Sequence, residues 1–169
     1  MNRSNESSRE EHSMQQPRVR EQPYFLEIRD SYQHVLVLQE KTLIAVPYDG
    51  MVKPITLTIA PCRDESLERN RGNPIYLGIE DHQLCLCCAA SGGQPVLQLE
   101  EREIMELYRA PKAEKSFVFY QNANGITSTF ESANYPGWFI SSSREMRKPI
   151  RMTKDVGNDN IDFFLNVRD

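Results

Sequence analysis

Four cysteines are the side chains of this sequence best suited to chemistry, and three of them lie in one short segment. Cys85 and Cys88 have the CxxC spacing of metal and redox sites, with Cys87 between them and Cys62 further upstream. A zinc site needs two more ligands at compatible spacing, and only Cys62 and three scattered histidines are available. Because the segment LCLCCAA is continuously apolar, we interpret its cysteines as small hydrophobic side chains and expect buried or partly buried free thiols.

The histidines give no clear sign of a catalytic site. His12 lies in a polar N-terminal segment, His34 at the start of a predicted strand and His82 in a predicted turn. None belongs to a nucleophile motif, and the sequence contains no phosphate-binding glycine loop, HExxH motif or EF-hand loop. A cysteine and a histidine can still meet in space. With so few histidines in such positions, we expect no catalytic residue, no cofactor and no metal, and therefore a protein that is not an enzyme.

Two charged stretches each leave two interpretations open. Glu100, Glu101, Glu103 and Glu106 suit acid–base chemistry or, more simply, a solvated face. Residues 144–154, REMRKPIRMTK, carry five basic side chains and one acidic one. They form either a patch for a polyanion or an acidic partner, or an ordinary solvated loop around a proline turn. The net charge of −4 argues against a general nucleic-acid binder.

The elements that position these residues begin after a polar N-terminal segment. Residues 1–23 are rich in Ser, Glu, Arg and Gln, and we predict a disordered, propeptide-like tail followed by one domain at 24–169. The tail has no apolar stretch of the kind that a secretory signal requires, so synthesis in the cytoplasm is expected. The longest apolar runs are too short to span a membrane.

Short apolar segments separated by turn residues make up most of the remaining chain. About twelve such strands, and no long helix, predict an all-β barrel or sandwich. The segment at 55–62 alternates cleanly, and the strands at 117–121 and 127–132 flank the turn at Asn124-Gly125 as the clearest hairpin. Residues 101–108 fit either a single helical turn or a strand with a polar side.

The spacing of the hairpins narrows the fold. The hairpins that start at Ile75 and Phe117 lie 42 residues apart, and the same interval counted backwards ends just ahead of the strand at 34–39. This recurrence predicts a β-trefoil with threefold pseudo-symmetry rather than an immunoglobulin-like sandwich, whose Cys…Trp…Cys landmark is missing. In FESANYPGWFISS (130–142), a Pro-Gly break next to the single tryptophan predicts a tight corner, with Trp138 filling the space beneath it.

Four stretches of the chain follow one another in a recognisable order: GNPIYLGIEDHQLCLCC (72–88), PVLQLEEREIMELY (95–108), KSFVFYQNANGITSTFESANYPGWFISS (115–142) and KPIRMT (148–153). The signature residues of the corner are Phe130, Ser132, Pro136, Gly137, Trp138 and Phe139. Together these stretches resemble the interleukin-1 cytokine family, and the resemblance covers nearly everything from about Phe25 onward. Ser142 stands where threonine is usual in the family and keeps the hydroxyl. Within the family, TLIAVP (42–47), GNPIYLGI and LQLEEREIMELY resemble the interleukin-36 subgroup.

The resemblance implies a β-trefoil that acts as an extracellular, monomeric, pro-inflammatory cytokine and leaves the cell by an unconventional route. Such a protein binds the interleukin-36 receptor and recruits the interleukin-1 receptor accessory protein, which activates NF-κB and MAP kinase signalling. The strand VKPITLTIAPC (52–62), followed by a charged connection, favours an agonist. A receptor antagonist on the same scaffold is the alternative. A trefoil module that binds glycans or polyanions is less favoured, because the chain has a single tryptophan.

The resemblance also places the receptor contacts on loops. It implies that the turn between the fourth and fifth strands and the loop between the eleventh and twelfth strands separate agonists from antagonists, and we map them to residues 48–53 and 154–160. Tyr48 can equally pack on its own barrel, and the Asp and Asn residues can equally be turn formers. The candidate contacts are Tyr48, Asp49, Gly50, Met51, Lys53, Lys154, Asp155, Asn158, Asp159 and Asn160.

The N-terminal segment is the candidate regulatory device. By resemblance, interleukin-36 agonists require trimming ahead of an aliphatic-X-Asp motif. Ile28 and Asp30 fit that motif, and Val19, nine residues ahead of Ile28, is the implied new N-terminus. An activating extracellular protease would cut after Arg18, in a segment that we expect to be unfolded. The alternative is that the segment is inert.

Overall fold

The computed structural model describes residues 21–168 and consists almost entirely of short antiparallel strands. In several strands every second side chain faces inward; β9, for example, buries Ser128, Phe130 and Ser132. The strands are β1 (Tyr24–Asp30), β2 (His34–Gln39), β3 (Thr42–Pro47), β4 (Leu57–Pro61), β5 (Asn73–Ile79), β6 (Leu84–Ser91), β7 (Gln94–Glu101), β8 (Val118–Asn124), β9 (Thr127–Ser132), β10 (Phe139–Ser141), β11 (Lys148–Pro149), β12 (Arg151–Thr153) and β13 (Phe163–Arg168).

Six of these strands close into a barrel. Hydrogen-bonded pairs run from β1 to β4, β5, β8, β9 and β13 in turn, and β13 pairs with β1 from Phe25↔Arg168 to Asp30↔Phe163. Closure leaves none of these six strands with an unpaired edge along the ring. The first and last described strands are therefore held against each other, and the loops rise from a rigid body.

Three four-part units build the barrel, so the predicted all-β trefoil with threefold pseudo-symmetry is confirmed. In each unit, the first strand pairs with the hairpin that follows it and with the last strand of the unit. The first strands begin at Tyr24, Asn73 and Thr127, which are 49 and 54 residues apart. The 42-residue interval was not the repeat, because Ile75 and Phe117 lie at opposite ends of one unit.

The structure has thirteen strands rather than about twelve because the last hairpin is interrupted at Ile150. The backbone N–H of Ile150 donates to the carbonyl of Leu43, 3.0 Å away, and its side chain is buried. The hairpins of the three units meet around the pseudo-threefold axis at a cavity of about 100 Å³, lined by residues that include Leu43, Leu97, Leu99 and Ile150. This meeting point closes the end of the inner core.

A second apolar cluster covers the outer face of the middle unit. Cys85 and Cys87 point into it, whereas Leu86 and Cys88 point into the inner core, so β6 is buried on both faces. The short helix α1 (Ile104–Arg109) packs Leu107 into the outer cluster. Of the two interpretations of residues 101–108, the helical turn is therefore correct for the part from 104 onward, while residue 101 belongs to β7.

The corner after β9 is held by backbone donors. The hydroxyl of Ser132 accepts from the N–H of Tyr135 at 3.0 Å, and the Glu131 carboxylate accepts from the N–H of Gly137 at 2.7 Å. Gly137 has φ +87°, a conformation that favours glycine. Trp138 is half-buried and packs against the inner core. The other signature residues are Phe130, buried in that core, Pro136, exposed, and Phe139, half-buried in β10.

Candidate functional site

The turn at 48–53 holds two large apolar side chains in water. Tyr48 is 54% exposed and Met51 is 88% exposed. One oxygen of Asp49 accepts from the backbone N–H of Met51 at 2.8 Å and from that of Val52 at 3.1 Å. These hydrogen bonds, chiefly the one from Met51, lower the pKa of the Asp49 carboxyl. The turn is thus fixed before any partner arrives, which reduces the ordering entropy lost on binding.

The rest of this turn is consistent with a presented surface. Gly50 has φ +86° with open space around the position of a Cβ, and Lys53 is exposed. Beside the turn lies a groove of about 300 Å³, lined by Tyr48, Pro54, Val35, Glu27, Arg29 and Asn166. Tyr48 therefore borders a groove between strands and does not pack fully onto its own barrel.

The strand numbering that we attached to this turn was wrong. Residues 48–53 join β3 to β4, and the connection between β4 and β5 is residues 62–72. The loop at 154–160 does join the last two strands, which are β12 and β13 because the third hairpin is split. Receptor contact by residues 48–53 stays a prediction, carried by their exposure and fixed shape.

The 154–160 loop is tied together by its own Asp and Asn residues. The backbone N–H groups of Asn158 and Asp159 both donate to the carbonyl of Asp155 at 3.2 Å. The amide of Asn158 also donates to the Asp155 carboxylate at 2.7 Å. These residues are turn formers, as one of our two interpretations expected. The exposed surface of the loop is provided by Lys154, Asp155, Val156, Gly157 and Asn158.

Asp159 joins this loop to strand β12. Its carboxylate accepts from the hydroxyl of Thr153 at 2.7 Å and from the guanidinium of Arg151 at 2.9 Å. Desolvation acts to raise the pKa of Asp159, but these two hydrogen bonds outweigh it and the pKa is lowered. A groove of about 470 Å³ runs from this pair past Trp138 to the edge of β7.

Asn160 is nearly buried, with 9% of its surface exposed, and so offers little area to a partner. Its side-chain amide donates to the hydroxyl of Ser142 at 3.1 Å, and that hydroxyl donates to Asp30 at 2.8 Å. Ile28 is buried in the inner core. Sequence reasoning identified Ile28 and Asp30 only as markers of trimming, because an Asp in a strand does not show whether it faces water or a buried partner.

The basic stretch at 144–154 does not present its charges as one patch. The guanidinium of Arg144 lies 6.0 Å from the centre of the Tyr32 ring, Lys148 pairs with Glu145, and Arg151 pairs with Asp159. Arg147 contributes to the lowered pKa of Asp49, which connects the stretch to the 48–53 turn. This arrangement favours a solvated loop over a polyanion site.

The cysteines lack the properties of a nucleophile. All four are buried free thiols. Burial raises the pKa of Cys85 to about 12 and that of Cys87 to about 11, so both stay protonated near neutral pH. Within residues 21–168, no group of three or more Cys, His, Asp or Glu side chains is arranged to hold a metal ion. No helix in the same range is long and apolar enough to cross a bilayer.

The implied cleavage point, Arg18 and Val19, lies outside the described residues. Two residues further along, the hydroxyl of Tyr108 donates to the carbonyl of Glu21 at 2.8 Å. The chain leading into β1 is therefore in contact with α1. Glu21 and Gln22 line a groove of about 590 Å³ together with Tyr108 of α1, the end of β4 and residues of the 62–72 connection such as Arg63.

The closed barrel with three capping hairpins defines a β-trefoil, and its fixed loops suit a protein that works by binding. The family model Interleukin-1 / 18 matches residues 55–165. Human interleukin-36 alpha is 49% identical over 83% of this chain and 90% of its own length. The mouse interleukin-36 receptor antagonist protein is 40% identical over 75% of this chain and 80% of its own length.

A solved NMR structure of the pro-inflammatory cytokine interleukin-36alpha superimposes with a TM-score of 0.76, at 44% identity, over 90% of this chain and 98% of that chain. The chain belongs to the interleukin-1 family of cytokines, which are extracellular signalling proteins and not enzymes. Its similarity to the interleukin-36 cytokines, at this identity and coverage, assigns it to that subgroup.

Proposed function

We propose that this protein is an interleukin-36 agonist. It binds the interleukin-36 receptor, recruits the interleukin-1 receptor accessory protein, and thereby activates NF-κB and MAP kinase signalling. The observation that carries the proposal is the pair of internally bonded loops on a closed barrel, with Tyr48 and Met51 held in water on one of them. The 49% identity to human interleukin-36 alpha supports an agonist over an antagonist.

A receptor antagonist is the second candidate, since the chain is also 40% identical to the mouse interleukin-36 receptor antagonist protein. An antagonist would bind the same receptor and fail to recruit the accessory protein. A glycan or polyanion module is a weaker alternative, because three of the five bases at 144–154 already have an acidic or aromatic partner. Binding to heparin that weakens as salt rises would support such a module.

The proposal includes activation by an extracellular protease that cuts between Arg18 and Val19. The cut would leave five residues, 19–23, ahead of β1. In this scheme, the cytokine is made in the cytoplasm and is trimmed after release. In this proposal, trimming removes a long polar segment that would otherwise obstruct receptor assembly.

Signalling by two matched chains tests this scheme. A chain beginning at Val19 and the full-length chain are applied over a concentration series to epithelial cells that carry an NF-κB reporter. We expect the Val19 chain to reach half-maximal response at a concentration at least about tenfold lower, and a receptor antagonist to block it. Equal potency of the two chains would reject the trimming step. A silent Val19 chain that blocks a known agonist would instead identify an antagonist.

A further inference from the structure

A buried carboxylate organises the end of the first strand. One oxygen of Asp30 accepts from the backbone N–H of Tyr32 at 2.9 Å and from that of His34 at 2.8 Å. The other oxygen lies 3.0 Å from the Nδ1 atom of His34. Asp30 is only 2% exposed. A buried carboxylate needs this number of partners, because an unsatisfied charge in a low-dielectric interior is costly.

The same carboxylate reaches a residue more than a hundred positions away. The hydroxyl of Ser142, which is 1% exposed, donates to the second oxygen of Asp30 at 2.8 Å. That hydroxyl also accepts from the side-chain amide of Asn160 at 3.1 Å. Ser142 therefore uses both its donor and an acceptor position, and a side chain without a hydroxyl cannot replace it.

Asn160 is the last residue of the 154–160 loop, and every polar group on it is used. The backbones of Asn160 and Ser142 exchange two hydrogen bonds, at 2.9 and 3.2 Å. The amide oxygen of Asn160 accepts from the hydroxyl of Ser31 at 2.7 Å, and its amide nitrogen also donates to the carbonyl of Asp162 at 2.9 Å. The far end of the loop is thus tied, through Ser142, to the turn that follows β1.

The base of the loop is closed separately, because the Asp159 carboxylate accepts from the hydroxyl of Thr153 and from the guanidinium of Arg151. The exposed residues 154–158 lie between Thr153 and Asp159. Loss of the Asn160 anchor would leave this closure in place and would let the closed loop shift relative to the turn after β1, without removing any exposed residue of the loop. The position of the loop therefore depends on side chains buried beneath it.

We propose that Asp30 and Ser142 are positioning residues that hold the 154–160 loop, through Asn160, in the geometry that recruits the second receptor chain. This role rests on the proposed agonist function. It also gives the Ile28-x-Asp30 motif a structural meaning: Ile28 anchors β1 in the core, and Asp30 anchors the loop. In this proposal the motif stabilises the end of β1 and the loop, and it is not part of the protease recognition site.

The test uses Ser142→Ala and Asp30→Asn in the chain beginning at Val19. Ser132→Ala is the matched control, because it also removes a fully buried hydroxyl that bonds one backbone N–H, in the corner after β9. Ser142→Thr keeps the hydroxyl and is the rescue variant. Three quantities are measured: amide hydrogen exchange, affinity for the first receptor chain, and recruitment of the accessory protein to that complex.

For Ser142→Ala we expect exchange at the amides of 155–159 to become about tenfold faster, the factor given by one lost buried hydrogen bond, while barrel amides keep their protection. Accessory-protein recruitment should weaken by about the same factor, with binding to the first chain changed less than about twofold. Ser142→Thr should restore both quantities, and Ser132→Ala should leave both unchanged. Asp30→Asn should behave like Ser142→Ala, and cleavage after Arg18 in full-length chains should proceed at the unaltered rate.

The outcomes distinguish the positioning role of Asp30 and Ser142 from the proposed agonist function. Faster loop exchange with unchanged recruitment would overturn the positioning role while leaving the agonist function intact. Unchanged loop exchange in both variants would also overturn it. If the unmodified Val19 chain binds the first receptor chain and recruits nothing, the agonist proposal itself fails, and the exchange data still report whether Asp30 and Ser142 hold the loop. Slower cleavage after Arg18 in the full-length Asp30→Asn variant would indicate that the motif is part of the protease recognition site.

Discussion

At the scale of single residues, the side chains with reactive chemistry serve packing. Three of the four cysteines lie on β6, where Cys85 and Cys87 face the outer cluster under α1 and Cys88 faces the inner core. The continuous apolar character of LCLCCAA was sufficient to predict this burial. The role of Ser142 and Asn160 was not predictable, since their partners lie far away in sequence and polar residues near turns usually face water.

Burial of the thiols predicts a loss of stability at alkaline pH. The pKa of Cys85 is raised to about 12 in the fold, whereas an unfolded thiol ionises near pH 8.5. Above about pH 8.5, the unfolded chain releases protons that the native chain keeps, so the free energy of unfolding falls as pH rises. It should fall by roughly 1 kcal/mol per pH unit for each such thiol between pH 8.5 and 9.5.

Urea unfolding at several pH values measures this slope. In the variant Cys85→Ala, the free energy of unfolding should fall less steeply with pH, by about the contribution of one thiol, whatever the stability of the variant at neutral pH. Ser91→Cys, which adds an exposed thiol, should keep the slope of the unmodified chain. Identical slopes for the unmodified chain and Cys85→Ala would show that Cys85 is not protected in the fold.

At the scale of elements, the strands were predictable where one face is apolar and a turn residue ends them. The bounds of β2 and β9 agree with those read from the sequence. The strand count was wrong where a tertiary contact decides, because Ile150 leaves its hairpin to bond with Leu43. The error at 48–53 has another source: the strand numbers were carried over with the family resemblance, whereas three strands precede this turn within the described residues.

One connection depends on a glycine that lacks room for a side chain. Gly72 has φ +125°, and an added Cβ would lie 2.5 Å from the amide nitrogen of Asn122. That amide cannot move away freely, because it donates to the carbonyl of Arg71 at 2.7 Å. Gly72→Ala should therefore lower the free energy of unfolding by about 2–3 kcal/mol through steric contact and backbone strain.

The comparison variant is Gly125→Ala. Gly125 also has a positive φ, +68°, but nothing lies within 4 Å of the added Cβ. Gly125→Ala should lower the free energy of unfolding by only about 1 kcal/mol, because it adds backbone strain without a steric clash. Chemical denaturation of both variants measures the difference. Equal losses would mean that contact with Asn122 contributes nothing at Gly72.

At the scale of the whole molecule, closure of β1 against β13 makes the trefoil a rigid support for its loops. The all-β class was predictable because short apolar segments separated by turn residues make up most of the chain, and the family resemblance implied the trefoil. The length of the true repeat was not predictable, because the 62–72 connection and the segment around α1 lengthen the units unequally and conceal the period. The loops that we assign to receptor binding have rigid, internally bonded shapes, so the protein should act without large rearrangement.

Stepwise receptor assembly tests the central claim most directly. The interleukin-36 receptor ectodomain is immobilised, the chain beginning at Val19 is added to saturation, and the accessory-protein ectodomain is then titrated. We expect the cytokine to bind the first chain alone and the accessory protein to bind only when the cytokine is present. Binding of the first chain without recruitment of the second, or no binding to the receptor at all, would contradict the assignment as an agonist.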